Sequence, residues 1–539
     1  MTDLQKNIDA RSDSCAGLHR DFGQISNFLI CRKFFYLTCL LCTGFTPASW
    51  ADGWKILPEV LLTETFTDNA ALLPDPFART SWATEIAPSI HIEHIGSRAS
   101  VLLDYRLRST FYSNQTQLNN SQNYLNANSS FEAVENWLHV DARSSITQQS
   151  RSAFASTQLQ NTSTLDANRV ETNTYQISPY IRGRFSDAAI YQLRLNGTQT
   201  RTNDVALPDA KTTEWIGVVT SAASAGKWGW LVSGNALTVR SADLGSRHDN
   251  RLRASVIYAF SRQLKFSLIT GYERANFAST RNRSNTTNGV GVDWLPTDRT
   301  KLSATREQRF FGDAYNLLFT HRTPLTAWKF VANKDVVVLP NTLTTITPGS
   351  VYELLYDVLS TSIPDPSART EAVRRRLQES ATAENGNFSN AFLTLRPFVS
   401  QSREGSIAVL GVRNTVTLTY SRREQRDLSP SSVFGLATPQ SNIDVLQRNL
   451  NLAWAYRLTP LSTLTALYSR LQSESLSLSP IESKQRAQSI VLTTRLSPKA
   501  SASMALRRVR FNNTAVNSYQ ENALVGTLLM RFYATPLYV

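Results

Sequence analysis

Residues 252–273 read Leu-Arg-Ala-Ser-Val-Ile-Tyr-Ala-Phe-Ser-Arg-Gln-Leu-Lys-Phe-Ser-Leu-Ile-Thr-Gly-Tyr-Glu. On the first arm Leu252, Ala254, Val256, Tyr258 and Phe260 fall on one face, with Arg251, Arg253, Ser255, Ala259 and Ser261 on the other and Ile257 as the misfit. After Ser261-Arg262-Gln263, a turn too short for a helix, Leu264, Phe266, Leu268, Thr270 and Tyr272 resume the apolar face, and Lys265, Ser267, Gly271 and Glu273 oppose it. Period-two alternation is the strand signal. Arms of about ten residues match tilted strands crossing a bilayer, and aromatics at the ends of the apolar face sit where interfacial girdles would.

The same hairpin recurs along the chain. Ile86, Ile90 and Ile92 alternate with Ser89, His91 and Glu93, and Leu103, Tyr105 and Leu107 alternate with Asp104, Arg106 and Arg108. Downstream, Leu450, Leu452, Trp454 and Tyr456 alternate with Asn449, Asn451, Ala453 and Ala455, and Leu524, Leu528, Met530 and Phe532 close the series. Short turns such as Gly96-Ser97, Ser186-Asp187 and Arg262-Gln263 alternate with polar loops such as Ala275–Asn288, Gln425–Leu446, Ser473–Gln485 and Asn512–Gln520. That asymmetry predicts an all-β, transmembrane, antiparallel up-and-down β-barrel of 16–22 strands, about twenty by hairpin count, over residues 52–539. A soluble sandwich would need an apolar core between two sheets and less regular ends.

All four cysteines, Cys15, Cys31, Cys39 and Cys42, lie in the first 42 of 539 residues. Residues 1–51 read as an export signal with an extended n-region: Arg32-Lys33, the apolar run Phe34–Phe45, then Ala48-Ser49-Trp50-Ala51 with small residues at the −3 and −1 positions. Neither Cys39 nor Cys42 follows the small residue that a lipid-anchor signal requires. Of the formal +14, five Lys/Arg and four Asp/Glu fall before residue 52, which leaves +13 on a chain without cysteine. Mean hydropathy is −0.26, and no apolar run after the signal is long enough for a membrane helix. Localisation in the outer membrane of a Gram-negative cell is the expectation, with outer-membrane lipid and lipopolysaccharide as surroundings.

One segment breaks the strand pattern. Across 350–378 the spacing predicts helix–turn–helix: Val351, Leu354, Leu355, Val358 and Leu359 form one helical face, with Ser350 and Glu353 as a capping box. Pro364-Asp365-Pro366 ends the first helix and starts a second that carries Arg369, Arg374, Arg375 and Arg376. Leu354, Leu355, Arg374, Arg375 and Arg376 are the candidate residues of a plug in the lumen; a surface excursion without a gating role is the alternative.

Chemistry is sparse. No phosphate loop, metal-ligand cluster or nucleophile elbow is present, and neither metal nor cofactor is expected. His139 and Asp141 share a strand face, which admits an outer-membrane hydrolase as an alternative, although any water-facing strand places polar residues at i and i+2 together. Arg106, Arg108, Arg143, Arg182, Arg184, Arg194, Arg251, Arg253 and Arg457 all fall on the polar face that a barrel turns inward. A cationic lumen favours anions, unless carboxylates such as Asp104 and Asp141 neutralise it. Nucleic acid is excluded as a partner, because the charge is spread along strands with neither recognition helix nor aromatic platform.

Three stretches, Pro58-Glu59-Val60 through Thr63–Asn69, Glu132-Ala133-Val134-Glu135-Asn136-Trp137-Leu138 and Tyr175-Gln176-Ile177-Ser178-Pro179-Tyr180, are similar to an outer-membrane barrel family. Ile363-Pro364-Asp365-Pro366 followed by Arg369 fits the same pattern. That family is the one associated with exopolysaccharide loci and the PEP-CTERM/exosortase system. The resemblance implies a non-enzymatic channel or accessory factor in exopolysaccharide secretion, with anionic polysaccharide and periplasmic export machinery as partners. A structural barrel that anchors surface polymer through its loops is a further alternative. One departure is that barrels of this type usually finish on an aromatic, whereas Tyr533–Val539 follows Phe532 here.

Overall fold

The computed structural model describes residues 53–156, 168–203, 209–222, 226–241, 245–276, 283–337, 351–360, 363, 365, 369–370, 372–373, 376–377, 396–428, 444–477, 481–515 and 517–532. The expected export signal at 1–51 lies outside the described residues. From β1 (Trp54–Thr67) to β22 (Tyr519–Arg531), twenty-two antiparallel strands form one sheet, each paired with its neighbour in sequence. The sheet closes on itself: β1 pairs with β22 from Glu59↔Arg531 to Thr67↔Ala523. The count is at the upper end of the expected range.

The opening hairpin is β10 (Gly245–Ala259) and β11 (Leu264–Ala275), in the register that alternation predicts. Leu252 faces Tyr272, Val256 faces Leu268 and Tyr258 faces Phe266, while Arg251 faces Glu273 and Ile257 faces Ser267 on the opposite side. Leu252, Val256, Leu268 and Tyr272 are exposed, as are Trp82, Phe111, Trp215, Trp294, Trp328, Phe330 and Trp454 around the sheet. A continuous exposed apolar band on a closed sheet is the lipid face of a membrane barrel, since each strand is paired on both sides and no edge is left. The opposite face is the lumen.

Strands are longer than the apolar pattern alone indicates. At one rim no connection exceeds the six residues 222–227; at the other they include 68–80, 151–168, 428–444 and 338–397. Strand pairing runs on into stretches expected as polar loops: β12 (Arg283–Thr297) starts inside 275–288, and Glu482–Gln485, expected at the end of the loop 473–485, already belong to a strand, as do the polar residues that open β4 (Asn120–Val134). Beyond the bilayer, ladder hydrogen bonds form without any need for apolar side chains, so hydropathy underestimates strand length.

Inside the closure seam, the Thr67 hydroxyl donates to Glu521 at 3.0 Å and the Arg507 guanidinium donates to it at 2.8 Å. Glu521 and Arg507 are 2% and 8% exposed. Replacing Glu521 by Ala strands a buried cation, so Glu521→Ala is expected to cost about 3–5 kcal/mol. The check is the temperature at which the unboiled barrel converts to the unfolded band on a detergent gel, which drops in the variant.

Candidate functional site: the lumen and its insert

Parity and register put all nine candidate arginines on the lumen face. Arg106 and Arg108 come from β3 (Ala99–Tyr112), Arg143 from β5 (Leu138–Ser150), Arg182 and Arg184 from β6 (Arg169–Phe185), and Arg194 from β7 (Ala189–Thr202). Arg251 and Arg253 come from β10, and Arg457 ends β18 (Val445–Arg457).

Four of them are neutralised. Arg108 pairs with Glu85 at 2.7 Å, Arg194 with Asp141 at 2.8 Å and Arg251 with Asp249 at 3.3 Å, and Arg253 pairs with Glu307. A further buried pair, Arg309 with Glu273 at 3.0 Å, extends to Asp335. Arg106, Arg143, Arg182, Arg184 and Arg457 make no ion pair among the described residues, and Arg106, Arg143, Arg182 and Arg184 are exposed to the lumen. Arg143 is flanked across the ladder by Asn128 and Gln176, Arg106 by Ser89 and Tyr124, and Arg182 by Gln192. Strands β3 to β7 thus present cations among amides, hydroxyls and aromatic rings.

His139 does not engage Asp141. Its ring stacks on Tyr180 with centroids 4.9 Å apart, and its buried Nε2 has no partner among the described residues. Asp141 instead accepts from Arg194 and, at 2.9 Å, from the Ser130 hydroxyl, while Arg194 lies 4.0 Å over the Tyr180 ring. The residues expected of a histidine–carboxylate relay are held apart in separate structural contacts. Asp104, expected as an arginine partner, pairs with His91.

The helical segment lies on the lumen side of the wall. Helix α1 (Val351–Leu359) buries Leu354, Leu355, Val358 and Leu359, the face its spacing predicts. Those side chains pack on Ala327 of β15 (Thr326–Val337) and on Ala408 and Leu410 of β16 (Phe398–Leu410), and Lys329 pairs with Glu353. Ala327 faces Ala408 and Lys329 faces Ser406, on the opposite side from exposed Trp328, Phe330 and Val409. Ala327 is the second residue of β15 and Leu410 the last of β16, so α1 contacts the wall at its short-turn end. The connection 338–397 leaves β15 at the other rim, ten residues or about 33 Å along the strand. Helix α1 therefore lies on the lumen side at the rim remote from the end of β15.

Second-helix residues Ala372, Val373 and Leu377 complete the same apolar cluster. The Arg369 guanidinium sits 4.6 Å over the Tyr356 ring and donates to the Ile363 carbonyl at 2.9 Å. Arg376 is helical and partly buried, whereas Ser350, Arg374 and Arg375 lie outside the described residues. Small wall residues opposite α1 and the Lys329–Glu353 pair escaped sequence reading, because an alanine on a strand face advertises no partner.

No protein-family model and no curated protein matches the chain. Among solved structures it is similar to the FrpB iron transporter of Neisseria meningitidis in apoprotein form, at 8% identity and TM-score 0.49 over 89% of this chain and 81% of that one. It is also similar to the siderophore receptor PirA of Acinetobacter baumannii, at 8% identity and TM-score 0.47 over 89% and 80%. A mutant ferric enterobactin receptor, PfeA of Pseudomonas aeruginosa, matches at 10% identity and TM-score 0.46 over 89% and 80%. By its closed sheet, apolar band and unequal rims, the chain is a transmembrane β-barrel of the outer membrane, with its longer loops at the cell surface.

Burial pushes the Asp357 carboxyl above the usual carboxylate range; Glu353 adds to this, while Lys329, Arg322 and Arg369 oppose it. A raised value in the docked state means docked α1 holds the proton more tightly than undocked α1. That contribution is full below the ordinary carboxylate value and is lost as pH rises through the raised one. Hydrogen exchange across 351–359, corrected for intrinsic rates, is expected to show protection that grows as pH falls through the raised value toward the ordinary carboxylate range. Asp357→Asn should flatten the dependence, and the same slope in both proteins would refute this assignment.

Proposed function

We propose that this barrel conveys an acidic polysaccharide across the outer membrane, with the 350–378 segment as a displaceable plug. It would act as a channel or accessory factor in exopolysaccharide secretion, in keeping with the sequence resemblance to the PEP-CTERM-associated barrels. The observation that carries the reading is the seating of α1 against the lumen wall at the end remote from its point of entry. A surface excursion would instead leave its apolar residues above the rim.

Two further features support it. Side chains from β3 to β7 offer amides and hydroxyls that exchange hydrogen bonds with sugar hydroxyls, together with arginines that attract carboxylate groups without clamping each one. Conduction requires binding weak enough to release, which a dispersed cationic wall provides and a closed ion-pair network does not.

Undocking tests the plug. Leu354→Asp with Leu355→Asp places two carboxylates against Ala327, Ala408 and Leu410, and should raise single-channel conductance in planar bilayers several-fold. Arg374, Arg375 and Arg376 changed to Gln should alter anion preference. Unchanged conductance in both variants would overturn the plug. Independently, Arg143→Gln with Arg182→Gln should weaken current block by a soluble uronic-acid polymer about ten-fold or more, the scale of one charge-assisted contact; equal block by a neutral glucan would remove the acidic substrate.

A further inference from the structure

The lipid face carries an arrangement that the transport reading does not use. On β16, β17 (Asn414–Asp427) and β18, Arg403 faces Arg422 and Arg422 faces Arg448, each directly across the ladder. On β19 (Ser462–Ser475), β20 (Glu482–Ser497) and β21 (Ala500–Asn513), Arg470 faces Arg486 and Arg486 faces Arg510. The triads adjoin, because Arg470 opposes Leu450, the next residue on that face after Arg448. Six arginines thus occupy six consecutive strands, about 24 Å of wall at the usual strand spacing.

All six point outward. They share the face of Leu418 and Tyr420, of Leu452 and Trp454, and of Ile490 and Leu492, which are exposed below them on β17, β18 and β20. Each lies in the half of its strand toward the long loops, where the apolar band ends. Val416 to Arg422 is six residues, about 20 Å along a tilted strand, so Arg422 stands where the apolar run of its strand gives way to charge.

Like charges directly opposite on one sheet face have Cβ atoms about 5 Å apart and destabilise the pairing. The protein offsets little of this. Arg448 reaches Glu474 at 3.4 Å and Arg510 donates to the Gln520 side-chain Oε1 at 3.0 Å. Arg403, Arg422, Arg470 and Arg486 are exposed and make no ion pair among the described residues. Three carboxylates share this face nearer the long loops, Glu424, Glu474 and Glu482, but Glu424 is taken by Arg426 and Glu482 by Lys484, so the row of six itself carries one sign that an external anion would complement.

We infer that this stripe is a binding site for a glycolipid carrying more than one phosphate, the lipopolysaccharide of the outer leaflet. Guanidinium forks take phosphate oxygens two at a time, and two adjoining triads suit two phosphates on one rigid headgroup better than scattered single phosphates. The aliphatic and aromatic wall beneath receives the acyl chains.

The test uses the full-length protein in detergent and follows its thermal midpoint with rough lipopolysaccharide, phosphatidylglycerol or inorganic phosphate. Lipopolysaccharide should raise the wild-type midpoint. In Arg422→Gln with Arg486→Gln that rise should fall below half, while without lipid the variant melts no lower than wild type because like-charge contacts are gone. Arg422→Lys with Arg486→Lys should retain most of the rise, and a heat-modified gel shift verifies that each variant is a closed barrel. An equal rise with phosphatidylglycerol or inorganic phosphate would overturn the multiply phosphorylated ligand. A full rise in the Gln variant, or a lower midpoint without lipid, would overturn the site.

Discussion

Closure of the backbone hydrogen-bond ladder between β1 and β22 is the constraint on which everything else depends. Hydrocarbon offers no partner to a free N–H or C=O, so a sheet can cross it only without edges. The seam joins residues more than 450 positions apart, Glu59 with Arg531 at 2.8 Å and Thr67 with Glu521 at 3.0 Å. Such non-local pairing fixes the register of every strand between, because a one-residue slip would turn the apolar face inward everywhere. Once the sheet is closed, two surfaces with opposite solvents follow, and each side chain answers to one of them.

On the inner surface, water and counter-charge are both available, and the chain uses both. Arg309, Glu273 and Asp335 brace three strands near the surface rim, and Arg253 with Glu307 ties in β10 as a fourth strand. Truncating Arg309 would leave the Glu273 carboxylate charged and buried, which is far more damaging than the pair is stabilising. Arg106, Arg143, Arg182 and Arg184 stand in water instead, among Asn, Gln and Tyr. The insert adds a third solution: α1 brings its own apolar face and sets it against alanines of β15 and β16, so that a lumen wall that is mostly polar acquires a local apolar seat.

How much of this could be read from sequence depends on the range of the interaction. Alternation in 252–273 gives faces and hairpin register, since both depend on neighbours. Strand β4 is harder: its outward positions include Asn123, Leu125, Ala127, Ser129 and Phe131, too few apolar residues to separate it from a polar loop. The helical face Leu354, Leu355, Val358 and Leu359 is legible from its period, but its seat is not, because Ala327 and Ala408 carry no signal of an inward partner. Arginine partners are set by geometry across neighbouring and next-neighbour strands; Arg194 and Asp141 lie 53 residues apart and His139 is only two from Asp141, yet the distant residue takes the carboxylate. Cation–π contact with Tyr180 holds Arg194 in place, and stacking on the same ring turns His139 away.

The two arginine populations differ in what surrounds them, and this separates their roles. Lumen arginines alternate with carboxylates or amides along and across strands, so their field is local and graded. The outer stripe sets an arginine on each of six adjacent strands, with aliphatic wall on one side and the long-loop rim on the other. A charge there can remain hydrated, so no desolvation cost forces pairing, and mutual repulsion is the chief cost of holding the guanidiniums in register. Repulsion of that kind falls when a fixed polyanion occupies the stripe, and mobile counterions relieve it less because they are not held by acyl chains. Sheet closure fixes the six positions relative to one another in the folded barrel, so the stripe is formed before any ligand arrives.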